Sequence, residues 1–122
     1  MHKKRIKTFD TLIKLHDNKI TNLRRQISAL NIEKDNLNKF LDELTAQALS
    51  EANRYIGSEY AFALDNYLKH AEDNKKSLSE QISALNDKII QLQRELSKEF
   101  SELKKIDVIK QNRIDAHQYD FV

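Results

Sequence analysis

The sequence has no cysteine and no proline, and its single glycine is Gly57. A chain without cysteine forms no disulfide framework and no reactive thiolate, which fits a reducing compartment. Because turns and sheets depend on glycine and proline, their scarcity argues against a fold of many short elements. No run of about 18 apolar residues occurs, and the basic start MHKKRIKTFD is not followed by an apolar stretch. We therefore expect neither a membrane span nor a signal peptide.

Charge is abundant, since Asp, Glu, Lys and Arg make up 33% of the 122 residues. Leu, Ile, Lys, Glu, Asn and Ser supply most of the chain, a composition typical of long helices or a coiled coil. A chain of this length forms at most one domain, covering residues 1–122.

Hydrophobic residues recur at heptad spacing in both halves of the chain, which predicts coiled-coil helices. The first series has these residues at positions a and d: Ile6, Ile13, Ile20, Ile27, Lys34, Leu41 and Ala48 at a, and Phe9, His16, Leu23, Leu30, Leu37 and Leu44 at d. The second has Ala61, Leu68, Lys75, Ile82, Ile89, Leu96 and Leu103 at a, and Leu64, Ala71, Leu78, Leu85, Leu92, Glu99 and Ile106 at d.

The two series are out of register by one residue, an offset that one inserted stutter or stammer does not produce. A chain reversal beside Gly57, with Ser58 capping a new helix, is the simplest explanation. The prediction is an all-α fold, a long antiparallel coiled-coil hairpin of two helices. Helix 1 is expected at about 4–50, the turn at about 51–59, helix 2 at about 60–113 and a frayed tail at 114–122. A parallel dimer with a skip near Gly57 is the main alternative.

The hexapeptide QISALN occurs at 26–31 and again at 81–86, in the same heptad register. In an antiparallel hairpin, opposite residues have numbers with a constant sum. A sum of 112 places the two copies opposite each other and the apex at position 56. Sums of 105 or 119 also satisfy the heptads, and the position of Gly57 favours 112. The repeat itself is explained equally well by duplication or by chance.

Polar residues interrupt the hydrophobic seam, and with a sum of 112 His16 faces Leu96 while Glu99 faces Ile13. Such residues fix register at some cost in stability.

No histidine pair has metal-ligand spacing, and no phosphate loop or nucleophile motif occurs. We expect no enzymatic activity, no metal and no cofactor. Because two helices bury only one narrow seam, we expect a protein partner or self-association.

Charge and aromatic residues are unevenly distributed along the chain. Residues 1–25 carry eight Lys or Arg against two Asp, whereas 33–73 carry nine acidic residues against four basic ones. No free basic arm and no aromatic stacking platform accompany the basic segment, so nucleic-acid binding is not expected. Four of the nine aromatic residues lie near the turn, where they either cap it or anchor a partner. They are Tyr55, Tyr60, Phe62 and Tyr67.

The pattern resembles the FliJ family, the small coiled-coil component of the bacterial flagellar protein export apparatus. The resemblance covers residues 6–113 and is clearest in FDTLIKLHDNKI, YLKHAEDNKKSLSEQISAL and SKEFSELKKIDVIKQNR. It implies a cytoplasmic hairpin, peripheral to the inner membrane, that works as a stalk in type III protein export. The implied partners are the hexameric export ATPase, the export gate and export chaperones.

Two sets of residues are candidates for these contacts. If the resemblance holds, the open end of the hairpin would meet the ATPase ring through its basic residues, Lys3, Lys4, Arg5, Lys7, Arg24 and Arg25. The four aromatic residues near the turn are candidates for the export gate or another partner. The rival functions are the stalk of an injection-type secretion system and a general coiled-coil scaffold or adaptor.

Overall fold

Two long helices joined by a five-residue turn make up the part of the chain that the structure describes. The computed structural model describes the backbone of residues 2–119 and the side chains of residues 7–116. Helix α1 spans His2–Tyr55 and helix α2 spans Ala61–Tyr119. The predicted two-helix hairpin with its apex near Gly57 is therefore confirmed.

Both helices are longer than the sequence predicted. Helix α1 continues to Tyr55 rather than ending near 50, so the turn covers 56–60 instead of about 51–59. Helix α2 continues through most of the predicted frayed tail and ends at Tyr119. No proline or glycine interrupts 114–119, so nothing in that segment requires the helix to stop.

The turn is built around Gly57, whose φ angle is +73°. This left-handed conformation is the usual way to end a helix, and glycine adopts it without steric cost. The Ser58 hydroxyl donates to the carbonyl oxygen of Tyr55 and accepts a hydrogen bond from the backbone N–H of Tyr60. The predicted capping residue thus makes its contacts inside the turn, whereas α2 begins three residues later at Ala61, and the carbonyl of Tyr60 accepts the hydrogen bond from Leu64.

The hairpin divides into two compact units, which are described separately. The terminal unit contains residues 1–28 and 90–122, and the turn unit contains residues 29–89. Ile20 and Leu92 are buried in the terminal unit. The buried side chains of the turn unit are small or aliphatic: Ala48, Leu64, Ala71, Leu78 and Ile89.

The predicted heptad positions coincide with the buried faces of the helices. Each a and d residue with a described side chain is buried or half-buried, except Ala61, which is exposed. Ala61 is the first residue of α2 and lies next to the turn, so it has no opposing helix to pack against.

The predicted alignment, in which opposite residues sum to 112, is wrong by one heptad in the terminal unit. Asp10 Oδ1 lies 2.5 Å from Lys110 Nζ, which fits a sum of 119, where Phe9 is opposite Lys110. A sum of 112 would move Lys110 about 10 Å along the helix axis, out of reach of Asp10. Arg24 also contacts Phe100. Their numbers sum to 124, which is closer to 119 than to 112, so this contact supports the same alignment.

The turn unit agrees with the shifted alignment. Tyr55 and Leu64, whose numbers sum to 119, line the same cleft. This sum places Leu30 opposite Ile89 rather than Ile82, so the two QISALN copies do not face each other. Ala61 then lies opposite Ser58 in the turn, which accounts for its exposure.

Candidate partner-binding sites

Three of the four predicted apex aromatics converge on one cleft in the turn unit. Tyr55, Tyr60 and Tyr67 line it together with Glu51, Ala63 and Leu64. Tyr55 is half-buried at the end of α1, Tyr60 is exposed at the end of the turn, and Tyr67 is exposed on the second turn of α2. The cleft has a volume of about 380 Å³ and opens to solvent.

The tyrosine rings meet edge to face rather than stacking. The Tyr55 and Tyr60 ring centroids are 6.0 Å apart, and the ring planes are inclined at 81°. This arrangement is favoured by the aromatic quadrupole, which places a positive ring edge against a negative face. The Arg54 guanidinium carbon lies 5.3 Å from the Tyr55 centroid, within cation–π distance.

Phe62 does not belong to this cleft. Its side chain is 88% exposed on the first turn of α2, and it is not among the lining residues. The structure also brings in Glu51, which sequence reasoning missed. The signal was available, because Glu51 and Tyr55 continue the d and a positions of the first heptad series beyond Ala48.

Of the predicted basic contact residues, the three with described side chains do not gather into one cluster. Lys7 and Arg25 are exposed on α1, and Lys7 lies about 26 Å along the helix from Arg24. The Arg24 guanidinium carbon packs 5.1 Å from the Phe100 ring centroid, so part of its side chain is engaged within the terminal unit. The side chains of Lys3, Lys4 and Arg5 lie outside the described residues.

A polar pair occupies the seam of the terminal unit, where the sequence predicted two separate polar residues facing hydrophobic ones. His16 Nδ1 and Glu99 Oε2 are 2.5 Å apart, and the two side chains are 17% and 19% exposed. The hydrogen bond from His16 lowers the pKa of Glu99, and the positive charges of Lys19 and Lys98 act in the same direction. Partial burial opposes these effects but does not cancel them.

A lysine in the seam of the turn unit behaves as an amphipathic side chain. Lys75 sits at an a position, and only 25% of its side chain is exposed. Its ammonium reaches the carboxylate of Glu72 one turn earlier on α2, 4.0 Å away. The aliphatic stem therefore covers the seam while the charge stays at the surface.

Comparison with protein-family models, with curated proteins and with solved structures finds no match to this chain. The resemblance to the FliJ family therefore rests on the sequence pattern alone.

Metal-binding clusters and membrane-spanning helices are both absent from the described part of the chain. No group of three or more His, Cys, Asp or Glu side chains there has an arrangement that would hold a metal ion. None of the described helices has a stretch both long and apolar enough to cross a bilayer. The candidate sites in the described part of the chain are the tyrosine cleft and the exposed basic residues of α1.

Proposed function

We propose that this chain is a non-enzymatic stalk of the bacterial flagellar type III export apparatus, as its resemblance to the FliJ family implies. The observation that carries the proposal is the architecture, a hairpin of two long antiparallel helices of 54 and 59 residues. A hairpin of this kind presents a free end, a turn and long charged faces to several partners at once. In this role it acts in the cytoplasm, at the inner face of the membrane that holds the export gate.

The charge distribution supports a division of labour between the two units. The terminal unit contains 14 Lys and Arg against eight Asp and Glu, whereas the turn unit contains seven against 11. Complementary charge steers association and helps to select the partner. In the proposed role the basic terminal unit enters the ATPase ring, and the turn unit, with its tyrosine cleft, meets the export gate or an export chaperone.

Binding to the purified export ATPase hexamer of the same organism tests this assignment. The informative variant is Lys7→Glu with Arg25→Glu, two exposed positions of the terminal unit. The matched control is Lys69→Glu with Lys76→Glu, which changes the net charge equally but lies in the turn unit. We expect the first variant to weaken binding by about tenfold or more and the control by less than about twofold.

The outcomes separate the rival functions. Loss of ATPase binding in the first variant alone supports the stalk. Binding only to the ATPase of an injection-type secretion system would move the chain to that system. Failure to bind either ATPase, with the helical content of the chain intact, would contradict the stalk and leave a coiled-coil scaffold.

A further inference from the structure

The cleft at the turn has the composition of a site for an organic cation. Three tyrosine side chains form its walls, and Glu51 is the one charged residue among the described residues that line it. Aromatic rings attract cations through the negative potential of their faces, and cages of such rings recognise ammonium groups. A carboxylate beside the rings adds a full negative charge at the same place.

The geometry of the rings suits an ion placed in the open cleft beside them. Tyr55 and Tyr60 touch edge to face, with centroids 6.0 Å apart and planes at 81°, so the ion meets ring surface that borders the cleft and does not lie between the two rings. Tyr67, on the second turn of α2, forms a further wall of the cleft, and its side chain is 37% exposed. The volume of about 380 Å³ is at the small end for ligand sites, enough for one ammonium or guanidinium head with its neighbouring methylenes.

The Tyr55 ring already makes one contact of the required kind. The guanidinium carbon of Arg54 lies 5.3 Å from its centroid, although Arg54 does not line the cleft. The surrounding unit is acidic, with an excess of four negative charges over residues 29–89. A basic segment of a partner is therefore attracted both to the unit and to the cleft.

We propose that this cleft binds an organic cation, and that its occupant is a lysine or arginine side chain of a partner protein. The claim that the cleft binds a cation depends only on the residues that line it. The claim that a partner protein supplies this cation rests on the proposed stalk function. The cleft is open and lies at the end of the hairpin, so a side chain carried by a large partner can reach it.

Nuclear magnetic resonance with isotope-labelled tyrosine rings tests the first half. The probes are choline and 3,3-dimethylbutanol, which have the same shape but differ in charge. We expect choline to shift the ring signals of Tyr55, Tyr60 and Tyr67 in a saturable manner. The neutral isostere should bind at least about fivefold more weakly, since each cation–π contact at an exposed site contributes modestly. Equal shifts with both probes would overturn the proposal.

Variants locate the binding site. Tyr67→Leu removes one wall, and Glu51→Gln removes the charge while keeping the shape, so each should reduce choline affinity by about threefold or more. The matched control is Phe62→Leu, a more exposed aromatic position at the start of α2 that does not line the cleft. Circular dichroism checks that each variant keeps its helices, and Glu51→Gln keeps the test valid if Tyr67→Leu unfolds the turn. Unchanged affinity in Glu51→Gln, or an equal loss in Phe62→Leu, would contradict the assignment.

Short peptides test the second half. An acetylated Gly-Arg-Gly amide and its lysine equivalent should shift the same tyrosine signals, whereas a citrulline peptide, which lacks the charge, should not. Binding of choline without binding of either basic peptide would overturn the protein occupant and indicate a free quaternary ammonium ligand. None of these experiments requires an ATPase, so a failure of the stalk assignment and a failure of the cation site are distinguishable.

Discussion

At the level of single residues, His16 and Glu99 show how two polar side chains are kept in a hydrophobic seam. Each would be costly to bury without a partner, and each sits at a d position where leucine is preferred. Their contact, 2.5 Å between Nδ1 and Oε2, gives each side chain a polar partner, and less than a fifth of either side-chain surface remains exposed. The pair does not by itself choose between the two alignments, because Glu99 lies three residues from the position opposite His16 when the sum is 112 and four residues from it when the sum is 119.

The pair makes the stability of the hairpin depend on pH in the acidic range. Because the folded-state pKa of Glu99 lies below its unfolded value, its contribution is present above the unfolded pKa and is lost as pH falls through the folded one. We expect wild type to have the higher melting temperature than Glu99→Gln at pH 5–6 and the difference to close towards pH 3. Thermal melts followed by circular dichroism measure this.

A neighbouring carboxylate provides the control for that measurement. Glu95 lies one turn before Glu99 on α2 and is exposed. Glu95→Gln should change the melting temperature little, and by a similar amount throughout the same pH range. If both variants follow the same pH dependence, the contact with His16 is not its source.

At the level of the helices, the heptad pattern predicted which side chains are buried but not which heptads are opposite each other. Any alignment that differs by seven residues brings an a position against a d position, so sums of 105, 112 and 119 are equivalent by pattern. The position of Gly57 favours 112, which places the apex at 56, whereas a sum of 119 places it between 59 and 60, at the far end of the observed turn. Tyr55 in fact continues the buried face of α1, which moves the end of the seam towards α2.

The residues of the tyrosine cleft could likewise be predicted only in part from the sequence. The concentration of aromatics around Gly57 predicted a contact surface near the turn, and three of the four residues do share a cleft. Phe62 was indistinguishable from them by sequence, since its exposure depends on where the turn directs the first residues of α2. Glu51 was missed because helix 1 was expected to end near residue 50, before this carboxylate.

Cysteine cross-linking tests the alignment of the terminal unit, and the absence of native cysteine gives a clean background. Ile13→Cys with Ile106→Cys pairs positions that sum to 119 and should form an intramolecular disulfide on mild oxidation. Ile13→Cys with Glu99→Cys pairs positions that sum to 112 and should not, because one heptad displaces the second cysteine by about 10 Å. Mobility on a non-reducing gel distinguishes the two, and preferential closure of the second pair would restore the alignment of 112.

The turn makes a separate prediction at Gly57. An added Cβ would meet no other atom within 4 Å, so the only cost of substitution is the left-handed backbone conformation. Gly57→Ala should lower the free energy of unfolding by about 1–2 kcal/mol. Gly57→Asn should cost less, because asparagine tolerates this conformation better. Urea unfolding measures both, and equal losses would indicate that the turn changes its conformation.

At the level of the whole chain, the formal net charge of +2 conceals two opposite excesses. The terminal unit has six more basic than acidic residues, and the turn unit has four more acidic than basic ones. Charges farther apart than about 8–10 Å are largely screened from each other at physiological ionic strength. A partner or a charged surface therefore responds to the unit it meets rather than to the net charge of the chain.

Cation exchange chromatography at pH 7.4 makes that distinction measurable with the variants already described. Both double substitutions lower the net charge from +2 to −2, so net charge alone predicts equal elution. Lys69→Glu with Lys76→Glu leaves the excess of six positive charges in the terminal unit and should still bind the resin. Lys7→Glu with Arg25→Glu reduces that excess to two and should elute at clearly lower salt. Elution of both variants at the same salt concentration would mean that the resin responds only to the net charge of the chain. The charge distribution would then no longer support the proposal that the basic terminal unit enters a partner ring.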